Sequence, residues 1–200
     1  TVVSDEIHAD LVYPGVTHIP LATLAQDKVH VITAVAPSKT FNIPGLGLSA
    51  LIVPQAGDRA AINKAFSSLH VSASNPFSIT AFEAAYREGA PWLEALLDYL
   101  SATRDFVRDF LQRHLPQIKL IEPQGTYLLW LDCRGMGLDD RQLKHFFVQE
   151  AGVGLSPGVL FGTQGSGFMR MNIGAPRSVI KQALEQIANA ANTHDSAQTE

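Results

Sequence analysis

Val29-His30-Val31-Ile32-Thr33-Ala34-Val35-Ala36-Pro37-Ser38-Lys39-Thr40-Phe41-Asn42-Ile43-Pro44-Gly45-Leu46-Gly47 decides how this chain is read. Its first seven residues are short, apolar and rich in β-branched side chains, and Pro37 closes the run, so it reads as a buried strand. Lys39 follows just past the carboxyl end of that strand, and a turn rich in glycine and proline comes next. In α/β sheets, ligands bind outside the carboxyl ends of strands. A lysine there can sit partly desolvated, which frees its amine as a nucleophile. Taken alone, the same lysine reads first as a solvated loop residue.

Two other stretches bear on that choice. Upstream, Val2 and Val3 lead into Asp5 at what reads as another strand end. Downstream, Arg170 sits inside the apolar alternation Phe168-Met169-Arg170-Met171-Asn172-Ile173. A carboxylate, a lysine and an arginine at such places suit pyridoxal phosphate chemistry. The lysine holds the aldehyde, the carboxylate keeps the pyridine nitrogen protonated, and the arginine grips a substrate carboxylate with two parallel hydrogen bonds.

The chain resembles the fold-type I aminotransferase family (class I/II), and within it the MalY/PatB-type cystathionine β-lyase branch. Five segments in the family's order carry the resemblance: Ser4 to Leu11, Pro37 to Leu46, Asn75 to Gly89, Pro123 to Asp132, and Gly167 to Gly174. The implied fold is α/β, the C-terminal part of a fold-type I transferase. Residues 1–90 would end the large mixed-sheet, cofactor-binding domain, 91–114 would be a linking helix, and 115–200 a small α+β C-terminal domain. The resemblance also implies that this is the C-terminal half of a longer enzyme, whose other half would supply most of the phosphate-binding groups.

The resemblance further implies pyridoxal 5'-phosphate as cofactor and an amino acid as substrate. Lys39 would be the Schiff-base lysine and proton carrier, Asp5 the partner of the pyridine nitrogen, and Arg170 the anchor of the substrate α-carboxylate. His8 stands where aminotransferases commonly carry a tyrosine that bonds the cofactor's phenolic oxygen, and an imidazole can offer such a bond. Ser38 is a candidate phosphate contact. The expected activity is carbon–sulfur β-lysis of cystathionine or cysteine-like substrates to thiol, pyruvate and ammonia, with the isolated chain inactive. Transamination is the alternative, and a non-catalytic binding module the alternative of another class. A homodimer is expected for the intact enzyme. One departure stands out. Many aminotransferases place an arginine a few residues after the lysine to hold the phosphate, whereas Gly45-Leu46-Gly47-Leu48-Ser49 has no cation.

Composition narrows the remaining classes. Charged residues make up 17% of the 200, against about 25% in ordinary domains, which points to surface that is covered in use. Net charge is −4 without a basic patch, so nucleic acid is not an expected partner. Cys133 is the only cysteine, leaving no disulfide framework and no cysteine-based zinc site, and no histidine–carboxylate cluster has metal-ligand spacing. No apolar run approaches the roughly 20 residues of a membrane span, and no signal-peptide pattern opens the chain, so a cytoplasmic location is expected.

Local patterns complete the expectations. Strands are predicted near 1–4, 29–35, 48–53, 118–121, 126–132 and 168–173. Helices are predicted from Asp58, as a possible N-cap, to Leu69, from Pro91 to His114, and over 140–151 and 177–190. The long helix carries an apolar stripe that includes Leu93, Leu100, Val107 and Leu111, which reads as core. Gly162 to Gly167 reads as a flexible loop, His18 as a surface histidine, Arg177 as a structural arginine paired to an acid, and Asn192 to Glu200 as a frayed end.

Overall fold

The apolar run before Lys39 becomes the middle of a three-stranded sheet. In the computed structural model, which describes residues 1–25, 28–73 and 75–197, β1 (Val2–Asp5) is followed by a short helix, α1 (Leu21–Ala25), and then by β2 (Val31–Val35). β1 lies parallel to β2 with Asp5 opposite Ala34, and β3 (Ala50–Ile52) pairs antiparallel on the other side. Val31 and Thr33 point to the buried face of β2, the two-residue period of a half-buried strand. Parallel pairing brings the carboxyl ends of β1 and β2 to one edge, and the residues that follow each strand emerge there.

The chain divides into two compact units, Thr1–Leu97 and Asp98–Glu200. The first unit continues with α2 (Ala56–Ser68) and α3 (Pro76–Glu88). Asp58 is not the N-cap of α2. That position is Gln55, which makes no side-chain cap bond, and Asp58 lies in the first turn with Oδ2 2.9 Å from His30 Nδ1. α3 is a helix that strand-and-stripe reading missed, although its signal is present: the Asn75 side chain accepts from the Phe77 amide at 3.0 Å, and Pro76 fills the first turn.

The long helix α4 (Ala90–His114) has Pro91 in its first turn, and the divide between the units falls within it. Its buried residues are Leu100, Thr103, Val107 and Leu111, spaced by three and four. In the second unit a four-stranded sheet runs in the order β4 (Lys119–Ile121), β5 (Leu128–Asp132), β7 (Phe168–Asn172), β6 (Ser156–Pro157), antiparallel throughout. Leu129, Leu131, Met169 and Met171 form its buried face. The final helix, α6 (Arg177–Ala197), buries Ile180, Leu184 and Ile187. It continues past Asn192, so 192–197 are helical rather than frayed, while 198–200 lie outside the described residues.

The helix expected over 140–151 is found in two parts. α5 (Asp140–His145) starts at a capping box in which Asp139 Oδ1 accepts from the Gln142 amide at 2.8 Å and Gln142 Oε1 accepts from the Asp139 amide at 2.9 Å, a pairing worth about 1 kcal/mol. A π-helical turn over Phe146–Glu150 follows, and both neighbouring rings, Phe146 and Phe147, are fully buried.

Candidate active site

In the first unit, the site residues stand on two tight turns at the shared sheet edge. Asp5 ends β1, and its Oδ1 accepts from the Ile7 amide at 3.2 Å. The chain then curls through Ala9 N to Glu6 O and Leu11 N to His8 O, both 3.0 Å, so that His8 is half-buried in the turn. After β2, the Phe41 amide bonds Pro37 O at 2.9 Å and the Ile43 amide bonds Ser38 O at 3.1 Å, winding one turn around Lys39. Burial lowers the His8 pKa, the positive charge of Lys39 lowers it further, and the carboxylate of Asp5 opposes them without prevailing. His8 therefore lies in the fields of both Asp5 and Lys39, and burial favours its neutral imidazole. The two turns thus leave from neighbouring strand ends, with Asp5 and His8 on one and Lys39 on the other.

Lys39 is not desolvated as the strand-end argument expects. Its side chain is exposed, because the turn directs the neighbouring Thr40 inward instead. Thr40 is fully buried and donates its hydroxyl to Asp10 Oδ2 at 3.1 Å. Phe41 packs edge-on against Tyr86, with ring centres 5.9 Å apart. Gly89 makes room for it: a Cβ there would lie 2.3 Å from the Phe41 ring. The Tyr86 phenol is pushed up in pKa by burial and then by Asp10. Ser38 is half-buried, and among the described residues its hydroxyl makes no hydrogen bond.

Sequence reasoning missed Glu6. Its side chain is only 7% exposed and accepts from the Leu21 amide at 3.1 Å and the Ser4 hydroxyl at 3.0 Å, with His18 Nε2 3.0 Å from its other oxygen. Burial raises its pKa, but these bonds outweigh burial and hold the carboxyl below its ordinary range. Glu6 ties the 14–20 loop and the start of α1 to the residue after Asp5. His18 is therefore a structural partner rather than a plain surface histidine. The available signal was the pairing of an acid next to the strand end with a histidine on the following loop.

In the second unit, Arg170 occupies the middle of β7 on the face opposite the buried one. Its register partners are Trp130 in β5 and Ser156 in β6, and its Nη2 donates to Ser156 Oγ at 3.4 Å. Its guanidinium lies over the Phe161 ring, 4.5 Å from the centre. Among the described residues no carboxylate pairs with Arg170. Its neighbours differ. Arg134 bonds both oxygens of Asp132, at 2.9 and 2.7 Å. Arg177 donates to Thr103 Oγ1 at 3.2 Å and lies over Tyr99, so it is structural as expected but is paired with a hydroxyl and a ring, not with an acid. A half-buried cation with no acid beside it is available to an external anion.

Gly162 to Gly167 is not a slack loop. Two 3-10 turns, Gly158–Phe161 and Thr163–Gly165, close on each other so tightly that a Cβ on Gly165 would lie 2.0 Å from Gly158 O.

The aminotransferase class I and II family is matched over residues 1–187. Cystathionine beta-lyase PatB of Bacillus subtilis is 40% identical over 191 residues, covering 95% of this chain and 49% of that protein. Protein MalY of Escherichia coli is 36% identical over 190 residues, covering 94% of this chain and 48% of that protein. Cystalysin from Treponema denticola, whose crystal structure contains pyridoxal 5'-phosphate, superposes with a TM-score of 0.89 at 34% identity, over 96% of this chain and 50% of that one. The chain spans about half the length of the curated relatives it matches. With its mixed first sheet, its strand-end lysine and this match along most of its length, the chain belongs to the aminotransferase class I and II family.

Proposed function

We propose that the whole protein is a pyridoxal phosphate-dependent carbon–sulfur β-lyase that acts on cystathionine or related cysteine thioethers. The observation that carries this reading is the gathering of Asp5, His8 and Lys39 at one sheet edge, in a chain whose relatives include PatB, a cystathionine β-lyase. The residues present suit the cofactor. Asp5 is a carboxylate for the pyridine nitrogen, His8 an imidazole whose burial favours the neutral form for the phenolic oxygen, Lys39 an exposed amine, and Ser38 a hydroxyl that makes no hydrogen bond among the described residues. Bound there, pyridoxal phosphate supplies an electron sink.

Lys39 attaches the cofactor and then carries the substrate α-proton. Arg170 takes the α-carboxylate. Removing the α-proton lets the bond from Cβ to sulfur break with its electron pair leaving on sulfur, which is protonated to the thiol. Water completes the release of pyruvate and ammonia. Transamination shares Lys39, Asp5 and Arg170 and returns a proton to carbon instead of losing sulfur. The cystathionine beta-lyase PatB among the relatives favours the lyase. The large-domain segment 1–90, linking helix 91–114 and small domain 115–200, a homodimer, and a cytoplasmic location belong to the same proposal; among the described residues no helix is long and apolar enough to cross a membrane.

Incubating the whole protein with cystathionine should release pyruvate and thiol in equal amounts, without need of a 2-oxo acid. Absence of both, with amino transfer to a 2-oxo acid, would favour the transaminase. Lys39→Ala should lower turnover by on the order of a thousandfold or more. Borohydride reduction followed by peptide mass analysis should find the cofactor on Lys39. Cofactor fixed to another lysine such as Lys28 would show the wrong residue had been chosen.

A further inference from the structure

We propose that Phe161 is a positioning residue for Arg170, holding the guanidinium so that it accepts a carboxylate in one orientation. This rests on the reading of Arg170 as the substrate-carboxylate anchor. Three observations converge on it. The Phe161 ring covers one face of the guanidinium at 4.5 Å. Phe161 is itself braced edge-to-face by Trp130, with centres 5.6 Å apart and planes at 75°, and Trp130 is the cross-strand partner of Arg170. On the other side Ser156 takes Nη2. One face and one N–H are therefore occupied, and the remaining in-plane donors are left for an incoming carboxylate.

The choice of a ring rather than an acid has a chemical consequence. Arg134 also lies over a phenylalanine, Phe168 at 4.9 Å, but Asp132 binds it and neutralises its charge. A ring fixes a guanidinium through its quadrupole and leaves the full positive charge for a ligand. The backbone that carries Phe161 is fixed to match. Gly158 and Gly165 are buried against each other, a Cβ on Gly158 would lie 2.2 Å from Gly165 O, and Gly162 turns the chain at φ 120°, a left-handed value that favours glycine. Phe161 is 53% exposed, so burial is not what sets its place.

The test uses the whole protein loaded with cofactor. Phe161→Leu keeps apolar bulk and removes the ring. KM for the amino-acid substrate and the inhibition constant of propionate should each rise about threefold to tenfold, with kcat changed less than twofold, and Phe161→Tyr should restore both. Inhibition by n-propylamine, which lacks the carboxylate, should not change. Phe161→Leu constants within twofold of the parent would overturn the proposal, and so would an equal weakening for propylamine, which would mark a general distortion. Arg170→Gln separates the two layers. If it abolishes propionate inhibition while Phe161→Leu leaves it intact, only the role of Phe161 fails. If Arg170→Gln leaves propionate inhibition intact, the reading of Arg170 fails, and this proposal with it.

Discussion

The two units hold their candidate residues by different means. In the second, Arg170 stands on a sheet whose other face is closed: Leu129, Leu131, Met169 and Met171 are each no more than 2% exposed. In the first, Val2 and Val3 of β1 are 40% and 65% exposed, and α2 has no buried residue. Lys39 depends instead on hydrogen bonds, from the Phe41 and Ile43 amides within its turn and from Thr40 to the more distant Asp10. An apolar run is thus sufficient to make a strand without ensuring that both its faces are covered. Geometry held by a core resists local change, whereas geometry held by a turn depends on a few hydrogen bonds.

The largest expected effect tests that contrast directly. Leu129→Ala removes a fully buried side chain from the second unit and should cost about 2–5 kcal/mol. Leu69→Ala in the first unit changes a side chain that is 72% exposed and should stay within about 0.5 kcal/mol. Urea unfolding of the two variants measures both. Similar losses would mean that Leu69 packs in a way its exposure does not reveal, beyond the small core of Leu11, Tyr13, Val31 and Val53 that the first unit does bury.

Much of this was legible in the sequence, and the reasons differ by element. β2, β5 and β7 were readable because their apolar runs are short and bounded by Pro37, Cys133 and Gly174. α4 was readable from its stripe and from Pro91. β6 was not, since two residues, Ser156 and Pro157, carry no period. α3 was missed although its cap at Asn75 with Pro76 at the first position was a signal for it, and only Ser78 of the helix is buried. Lys39, Asp5 and Arg170 were singled out by charge in an apolar setting. Glu6 and Phe161 were not, because their roles depend on partners distant in sequence: His18 and Leu21 for Glu6, Arg170 and Trp130 for Phe161. The exposure of Lys39 agrees with the plainer reading of a solvated loop lysine; what the sequence does not show is its cause, Thr40 turning inward to Asp10.

The glycines sharpen the comparison at a smaller scale. Both candidate segments are glycine-rich, but a Cβ on Gly47, after Lys39, meets nothing within 4 Å, while one on Gly165 meets the backbone of Gly158 at 2.0 Å. Gly165→Ala should therefore destabilise by about 1–3 kcal/mol through forced backbone movement, and should also weaken carboxylate binding by shifting Phe161. Gly47→Ala should be neutral or stabilise by up to about 1 kcal/mol through reduced freedom of the unfolded chain. Thermal unfolding with propionate titration reads both effects. A tolerated Gly165→Ala would show that the 158–165 crossing can relax.

The smallest expected effect concerns acid. Glu6 is nearly buried, and burial alone would raise its pKa from the ordinary 4.5; the bonds from His18, Leu21 and Ser4 reverse that and lower it. The unfolded chain therefore takes up its proton first as the pH falls. The stabilisation from Glu6 is complete above about pH 4.5 and is lost as the pH drops through the lower folded value. One proton sets a ceiling of about 1.4 kcal/mol per pH unit on the slope. Asp132 in the second unit is lowered too, mainly by its hydrogen bond from Arg134, against some burial, so the parent should lose stability in acid from both units. Glu6→Gln cannot titrate, and its urea midpoint should fall less steeply than the parent's between roughly pH 6 and pH 3. Parallel curves would mean that the Glu6–His18 contact does not stabilise the ionised form, and that the first unit holds its strand ends by backbone bonds alone.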